Sequence, residues 1–133
     1  MRHDVKHRIS IDRSKPLAAD PGTGHNRWHP DIPPAVTVKP GDSFRAHCRE
    51  WFDGAIHNDD SAQDILEAPL KTVHKLSGPF GVEGAKPGDL LIVDILDVGP
   101  IPQEEGPLAG QGWGYTGIFA TRNGEIGRAS CRE

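Results

Sequence analysis

Sixteen glycines and twelve prolines are spread through the 133 residues of this chain. Proline removes a backbone donor and fixes φ, and glycine loses more conformational freedom on ordering than any other residue. Long helices are therefore excluded, and short strands joined by tight turns are expected. The same punctuation occurs twice, as Lys39-Pro40-Gly41-Asp42 and Lys86-Pro87-Gly88-Asp89. Proline at the second turn position and glycine at the third suit a type II turn. A good turn used twice is a simpler reading of this recurrence than an internal duplication.

Strands follow from the apolar periodicity. Val5, His7, Ile9 and Ile11 alternate with polar residues, the pattern of a half-buried strand. Residues 14–34 read as loop, and residues 35–38 lead into the first turn. After it, Phe44, Ala46 and Cys48 fall on one face and Arg45, His47 and Arg49 on the other. After the second turn, residues 90–96 (L-L-I-V-D-I-L) give the strongest strand signal, with both faces expected to be covered. Residues 61–66 suit one short helical turn capped by Ser61. Residues 112–120 suit a last strand loosened by glycines. The fold class expected is mainly β, an antiparallel β-sandwich or barrel with long irregular loops.

Counting glycine, about 47% of the chain is apolar, inside the range of globular domains. The formal net charge is −4 and no basic cluster stands out, which argues against nucleic acid and against an anionic membrane. No apolar run approaches the roughly 20 residues of a membrane span, and the start of the chain lacks a signal-peptide stretch. A cytoplasmic location is the expectation. Cys48 and Cys131 lie far apart with no metal spacing, so a disulfide framework is not expected.

The end of the chain stands apart. Residues 125–133 (E-I-G-R-A-S-C-R-E) resemble a common short-read sequencing adapter translated in one frame, matching at every position. That resemblance implies native sequence ending near Gly124, a non-native Cys131 and a gene that continues. The other reading is a genuine polar tail.

Three polar constellations could carry chemistry. The first is Gly24-His25-Asn26-Arg27-Trp28-His29-Pro30-Asp31. Imidazole and carboxylate are the usual ligands of a hydrolytic zinc ion, and histidine also serves as a general base. His25, His29 and Asp31 are thus candidate ligands, although Pro30, Pro33 and Pro34 disfavour the helix that would converge the two histidines. Turn or interface packing is the competing reading. The second runs from Glu50 to Asp60 and gathers Glu50, Asp53, His57, Asn58, Asp59 and Asp60. Clustered carboxylates raise one another's pKa and hold hard cations, but an acidic surface loop has the same composition. The third places Glu83 among apolar residues before the second turn, as a site carboxylate or as the exposed member of an alternating strand. No G-x-S-x-G elbow and no Cys-His signature is present.

Longer motifs carry a family resemblance. G-H-N-R-W-H-P-D-I-P-P-A-V-T-V-K-P-G-D (residues 24–42) resembles the opening signature of the formamidase/acetamidase family. E-W-F-D-G-A-I-H-N-D-D-S-A-Q-D (50–64) and S-G-P-F-G-V-E-G-A-K-P-G-D-L-L-I-V-D-I-L-D (77–97) are similar to its successive segments. Q-G-W-G-Y-T-G-I-F-A (111–120) resembles the formamidase branch more than the acetamidase branch. The likeness is collinear over residues 5–124. It implies a cytoplasmic hydrolase of formamide and other short aliphatic amides, about three times this length, homo-oligomeric and jelly-roll-like, of which this chain is the N-terminal piece.

The resemblance further implies a divalent metal, zinc being the expected one, and no organic cofactor. In that frame His25 is a metal ligand or base, Asp59 or Asp60 assists, and Glu83 shuttles a proton to the leaving ammonia. Asn26, Arg27 and Trp28 would contact substrate. Later family segments with further His and Asp residues are missing, so the chain alone is not expected to hydrolyse amides. The alternative is a non-catalytic small-molecule or carbohydrate-binding β-sandwich in which Trp28, Trp51 and Trp113 form a stacking platform.

Overall fold

The computed structural model describes residues 5–59, 63–68, 70–106, 109–119 and 126–131. Its regular elements are short: β1 (His7–Ile9), β2 (Gly24–His25), β3 (Val36–Val38), β4 (Phe44–Ala46), α1 (Gln63–Glu67), β5 (Leu76–Ser77), β6 (Phe80–Val82), β7 (Gly114–Phe119) and β8 (Ile126–Cys131). Single 3-10 turns stand at Leu17–Ala19, Pro21–Thr23 and Leu70–Thr72. The chain divides into two units, Met1–Ala55 with Pro69–Asp89, and Ile56–Ala68 with Leu90–Glu133. No described helix is long and apolar enough to cross a membrane.

The mainly β expectation holds, with a mixture of pairings in place of a purely antiparallel sheet. In the first unit β1 pairs with β4 and β3 with β6, both parallel, while β2 and β5 are antiparallel. Parallel strands need long crossovers, and the irregular segments between these partners supply them. The β1–β4 ladder continues through the His47 N–H, which donates to Ile9 O at 3.0 Å. The β3–β6 ladder is extended at both ends, by Ala35 N–H to Pro79 O and Glu83 N–H to Val38 O, each 2.9 Å. Ile9, Leu17, Val38 and Phe52 are its buried apolar side chains among the described residues, and Phe44 lies against Phe80 with ring centroids 4.3 Å apart.

Both K-P-G-D segments form the expected turn, and both close it the same way. Asp42 N–H donates to Lys39 O at 3.0 Å while Lys39 N–H donates to Asp42 Oδ2 at 3.0 Å. Asp89 and Lys86 repeat the pair at 3.1 and 2.8 Å. Gly41 and Gly88 sit at φ +86 and +98, the left-handed conformation that the third position of a type II turn requires. The Lys39 N–H first, then His7 at 3.2 Å and Lys6, hold the Asp42 carboxyl below its ordinary range.

A charged cluster ties the loop before β2 to the segment after β4. Arg49 reaches Asp20 Oδ2 at 2.9 Å, Asp53 Oδ1 at 3.2 Å and Lys15 O at 2.7 Å. Asp53 Oδ2 also accepts the Leu17 N–H at 2.7 Å and faces Lys75 Nζ at 3.9 Å. The Arg49 side chain is only 6% exposed and that of Asp53 10%. Arg49 was expected on a polar strand face; it is buried because two carboxylates and a carbonyl compensate its charge.

The second unit holds α1, with Ile56 and Ile65 buried. Ser61, the expected cap of this helix, lies outside the described residues. Strand β7 falls within the last strand expected, and it pairs antiparallel with β8 from Gly114 opposite Cys131 to Phe119 opposite Ile126. β8 comes from the segment that resembles an adapter translation. A ladder of main-chain bonds selects little for side chains, so an open strand edge accepts such a segment readily. Residues 90–96 depart from expectation. They join no strand, and Leu90, Leu91, Ile92, Val93, Ile95 and Leu96 are all exposed. An apolar run forms a strand only where neighbouring strands take up its backbone groups, and none does so among the described residues.

Two outcomes follow for stability. Asp53→Ala leaves the Arg49 guanidinium buried beside one carboxylate fewer and is expected to cost about 3–5 kcal/mol, read from urea denaturation. For Asp42, a carboxyl held low in the folded state stabilises the fold above the ordinary aspartate range. That contribution is lost as pH falls through the folded-state value. Asp12, held at about 2 chiefly by Lys15 and then by Ser14, acts in the same direction. Asp42→Asn therefore makes the decline of the urea midpoint below the ordinary aspartate range shallower than in the wild type.

Candidate functional site

The site-bearing loop starts where β2 presses against β5. Gly24 stands opposite Ser77 and His25 opposite Leu76. A Cβ on Gly24 would lie 2.5 Å from Leu76 O and 3.3 Å from Leu17 Cδ1, so only glycine allows this approach. Thr23 fastens the same stretch: its hydroxyl donates to Asp20 O at 2.9 Å and its carbonyl accepts the Gly78 N–H at 3.1 Å. Asp20 is in turn held by Arg49, which links the charged cluster to the position of His25.

His25 leaves β2 half-buried. Its Nδ1 lies 2.7 Å from Arg27 O. A carbonyl only accepts, so Nδ1 carries a hydrogen, and in the neutral ring Nε2 keeps its lone pair. Nε2 has no partner among the described residues. This is the orientation of a general base or of a ligating imidazole, with the tautomer fixed by a backbone carbonyl. Trp28 meets the ring edge-on at a centroid distance of 6.5 Å and is 89% exposed. Asn26 is half-buried and Arg27 exposed.

His29 is set the opposite way. The Asp31 N–H donates to its Nδ1 at 3.2 Å, which places the ring hydrogen on Nε2. The Asp31 carboxylate lies 3.7 Å away, with both side chains well exposed. Among the described residues no three His, Cys, Asp or Glu side chains gather into a group that could hold a metal ion. His25, His29 and Asp31 thus do not fit a zinc site as they stand.

Of the remaining expected residues, Glu83 and Asp59 belong to different units. Glu83 follows β6 in the first unit, exposed, with its backbone tied to Val38 and its side chain unconnected to the His25 loop among the described residues. Asp59 belongs to the second unit. Asp60 lies outside the described residues. Of the other acidic residues near them, Glu50 accepts the Phe52 and Gly54 N–H groups at 2.9 and 3.0 Å and Asp53 belongs to the charged cluster, so both do structural work. The tryptophans are engaged separately: Trp51 with Phe52 and His74, Trp113 with Tyr115, Trp28 with His25.

One pair escaped the sequence reading. In the second unit His57 Nδ1 lies 3.0 Å from Asp64 Oδ2, which also accepts the His57 N–H at 2.7 Å. A histidine before a short helix with an aspartate in the first helical turn is the signal that could have flagged it. Its ring is 69% exposed, so the pair fixes the entry to α1 and holds no enclosed site.

Known proteins resemble this chain in sequence and in fold. The chain matches the model of the Acetamidase/Formamidase family over residues 10–128. It is 62% identical over 116 residues to an acetamidase of Mycolicibacterium smegmatis, covering 87% of this chain and 29% of that protein. Identity to a formamidase of Methylophilus methylotrophus is 49%, covering 87% of this chain and 27% of that one. A solved gamma lactamase from Delftia acidovorans superposes with a TM-score of 0.77 at 47% identity, over 89% of this chain and 27% of that structure. Identity is higher to the acetamidase than to the formamidase, so the formamidase-like residues 111–120 do not decide between the two. The chain spans less than a third of each relative's length. From the extent of the match, the chain belongs to the Acetamidase/Formamidase family.

Proposed function

We propose that the longer protein of which this chain forms part hydrolyses short aliphatic amides to a carboxylic acid and ammonia. His25 is the base that activates water. The observation that carries this reading is the 2.7 Å contact between His25 Nδ1 and Arg27 O, which leaves Nε2 as a proton acceptor. The relatives' names point to acetamide, formamide and a γ-lactam. All three are carboxamides, so the shared chemistry is attack of water on an amide carbonyl.

In this reading the lone pair of His25 Nε2 takes a proton from water as the water oxygen bonds to the carbonyl carbon. The carbonyl electrons move onto oxygen, where the Arg27 guanidinium and the Asn26 amide offer donors to the developing charge. The proton then passes from Nε2 to the amide nitrogen. The C–N bond breaks and ammonia leaves. Trp28 supplies an apolar wall that suits a formyl or acetyl group. A cytoplasmic, homo-oligomeric enzyme belongs to the same proposal.

The test is ammonia release from acetamide and formamide by the complete protein. His25→Ala is expected to lower kcat by roughly 10²–10⁴-fold with a much smaller change in KM. A variant that keeps kcat within about threefold removes His25 from the chemistry.

A further inference from the structure

Strand β2 consists of Gly24 and His25 alone, paired with Ser77 and Leu76 of β5. A ladder of two residue pairs contributes few main-chain bonds and does not hold its register by itself. The 2.7 Å contact of His25 Nδ1 with Arg27 O nevertheless needs the main chain at both residues kept in place. The fixing of β2 therefore comes from outside its own ladder.

The residues just before β2 supply it. Thr23 N–H donates to Asp20 O at 3.2 Å, and the Thr23 hydroxyl lies 2.9 Å from the same carbonyl and 3.3 Å from Asp20 Oδ2. That carboxylate oxygen also accepts a hydrogen bond from Arg49 Nη2 at 2.9 Å. Asp20 Oδ2 is thus the point where the buried guanidinium and the Thr23 hydroxyl meet. Arg49 has little freedom to follow a moving partner, because Lys15 O and Asp53 Oδ1 engage its Nη1. Its Nε is buried with no partner among the described residues, so releasing Asp20 leaves a second donor unmet. The other carboxylate of the cluster reaches the same place from two directions. Asp53 Oδ2 holds the Leu17 N–H, and Leu17 Cδ1 crowds Gly24. Lys75 Nζ, one residue before the partner of His25, lies 3.9 Å from Asp53 Oδ2.

We propose that Thr23 is a positioning residue for His25. Its hydroxyl carries the fixed position of the Arg49–Asp20 pair into β2 and so keeps the His25 ring on Arg27 O. The kinetic part of this proposal rests on the reading of His25 as the base; the structural part does not. The backbone bond from Thr23 to Asp20 survives any of the substitutions below, so the hydroxyl is the group under test. Serine keeps it, valine has the shape of threonine without it, and alanine lacks both hydroxyl and methyl. Thr23 is half-buried, so none of these changes opens a core.

The experiment compares Thr23→Val, Thr23→Ala and Thr23→Ser in the complete protein. Nitrogen-15 NMR reads the His25 imidazole, and ammonia release from acetamide and formamide reads turnover. In both hydroxyl-free variants the ring is expected to average between its two tautomers. Their kcat is expected to fall roughly 10–100-fold, with KM within about twofold. Thr23→Ser is expected to keep hydrogen on Nδ1 and kcat within about threefold of the wild type. A merely structural Thr23 would lower the urea midpoint and leave the tautomer unmoved. The proposal is overturned by a single Nδ1–H tautomer in either hydroxyl-free variant, by averaging that serine does not reverse, or by failure of both hydroxyl-free variants to fold. Averaging with kcat unchanged leaves the positioning standing and removes His25 from the chemistry, so the two readings fail separately.

Discussion

A guanidinium buried among carboxylates organises the first unit. The Arg49 side chain is 6% exposed, and its charge is met by Asp20 at Nη2 and by Asp53 and the Lys15 carbonyl at Nη1. A buried charge is tolerable only when its partners stay in place, so each partner's segment is tied to the position of Arg49. Those segments are the loop entering β2, through Lys15, Leu17 and Asp20, and the tight turn around Asp53 and Gly54. Arg49 follows directly on the β1–β4 ladder, which continues to His47. The charged cluster therefore joins a parallel strand pair to a loop more than twenty residues away in sequence.

That loop carries His25. Between Asp20 and His25 the chain is fastened by the Thr23 hydroxyl, by the Gly78 N–H on Thr23 O, and by the close contact of Gly24 with Leu76. The Ser77 hydroxyl donates to His47 O at 2.6 Å, so β5, against which β2 lies, is itself held to the segment beside Arg49. A base has to present one ring nitrogen with its lone pair outward and keep the ring from turning. His25 meets the first condition through the Arg27 carbonyl and the second through this network behind it. Nearby His29, with its ring hydrogen on the other nitrogen, has the opposite tautomer and no comparable support.

Much of this was legible in the residues. Alternation at Val5–His7–Ile9 and the K-P-G-D punctuation located β1, β4 and both turns, because turn chemistry and strand period are local properties. The polar loop 24–31 was likewise recognisable from its composition. What was not legible depended on distant partners. Arg49 reads as one more residue on a polar strand face, and nothing local says that Asp20, 29 residues earlier, will bury it. Parallel pairing of β1 with β4 is equally invisible to a period-two pattern. Residues 90–96 carry the strongest strand signal and yet form no strand, since periodicity reports what a segment can pair with and not whether the partner is present.

The proposal that His25 acts as a base rests on the fold fixing its tautomer. Nitrogen-15 NMR of the His25 imidazole measures this directly. The account predicts a neutral ring with hydrogen on Nδ1 and a lone-pair nitrogen at Nε2, held by the contact with Arg27. A ring protonated at Nε2, or one averaging between the two tautomers as in a free imidazole, would contradict it.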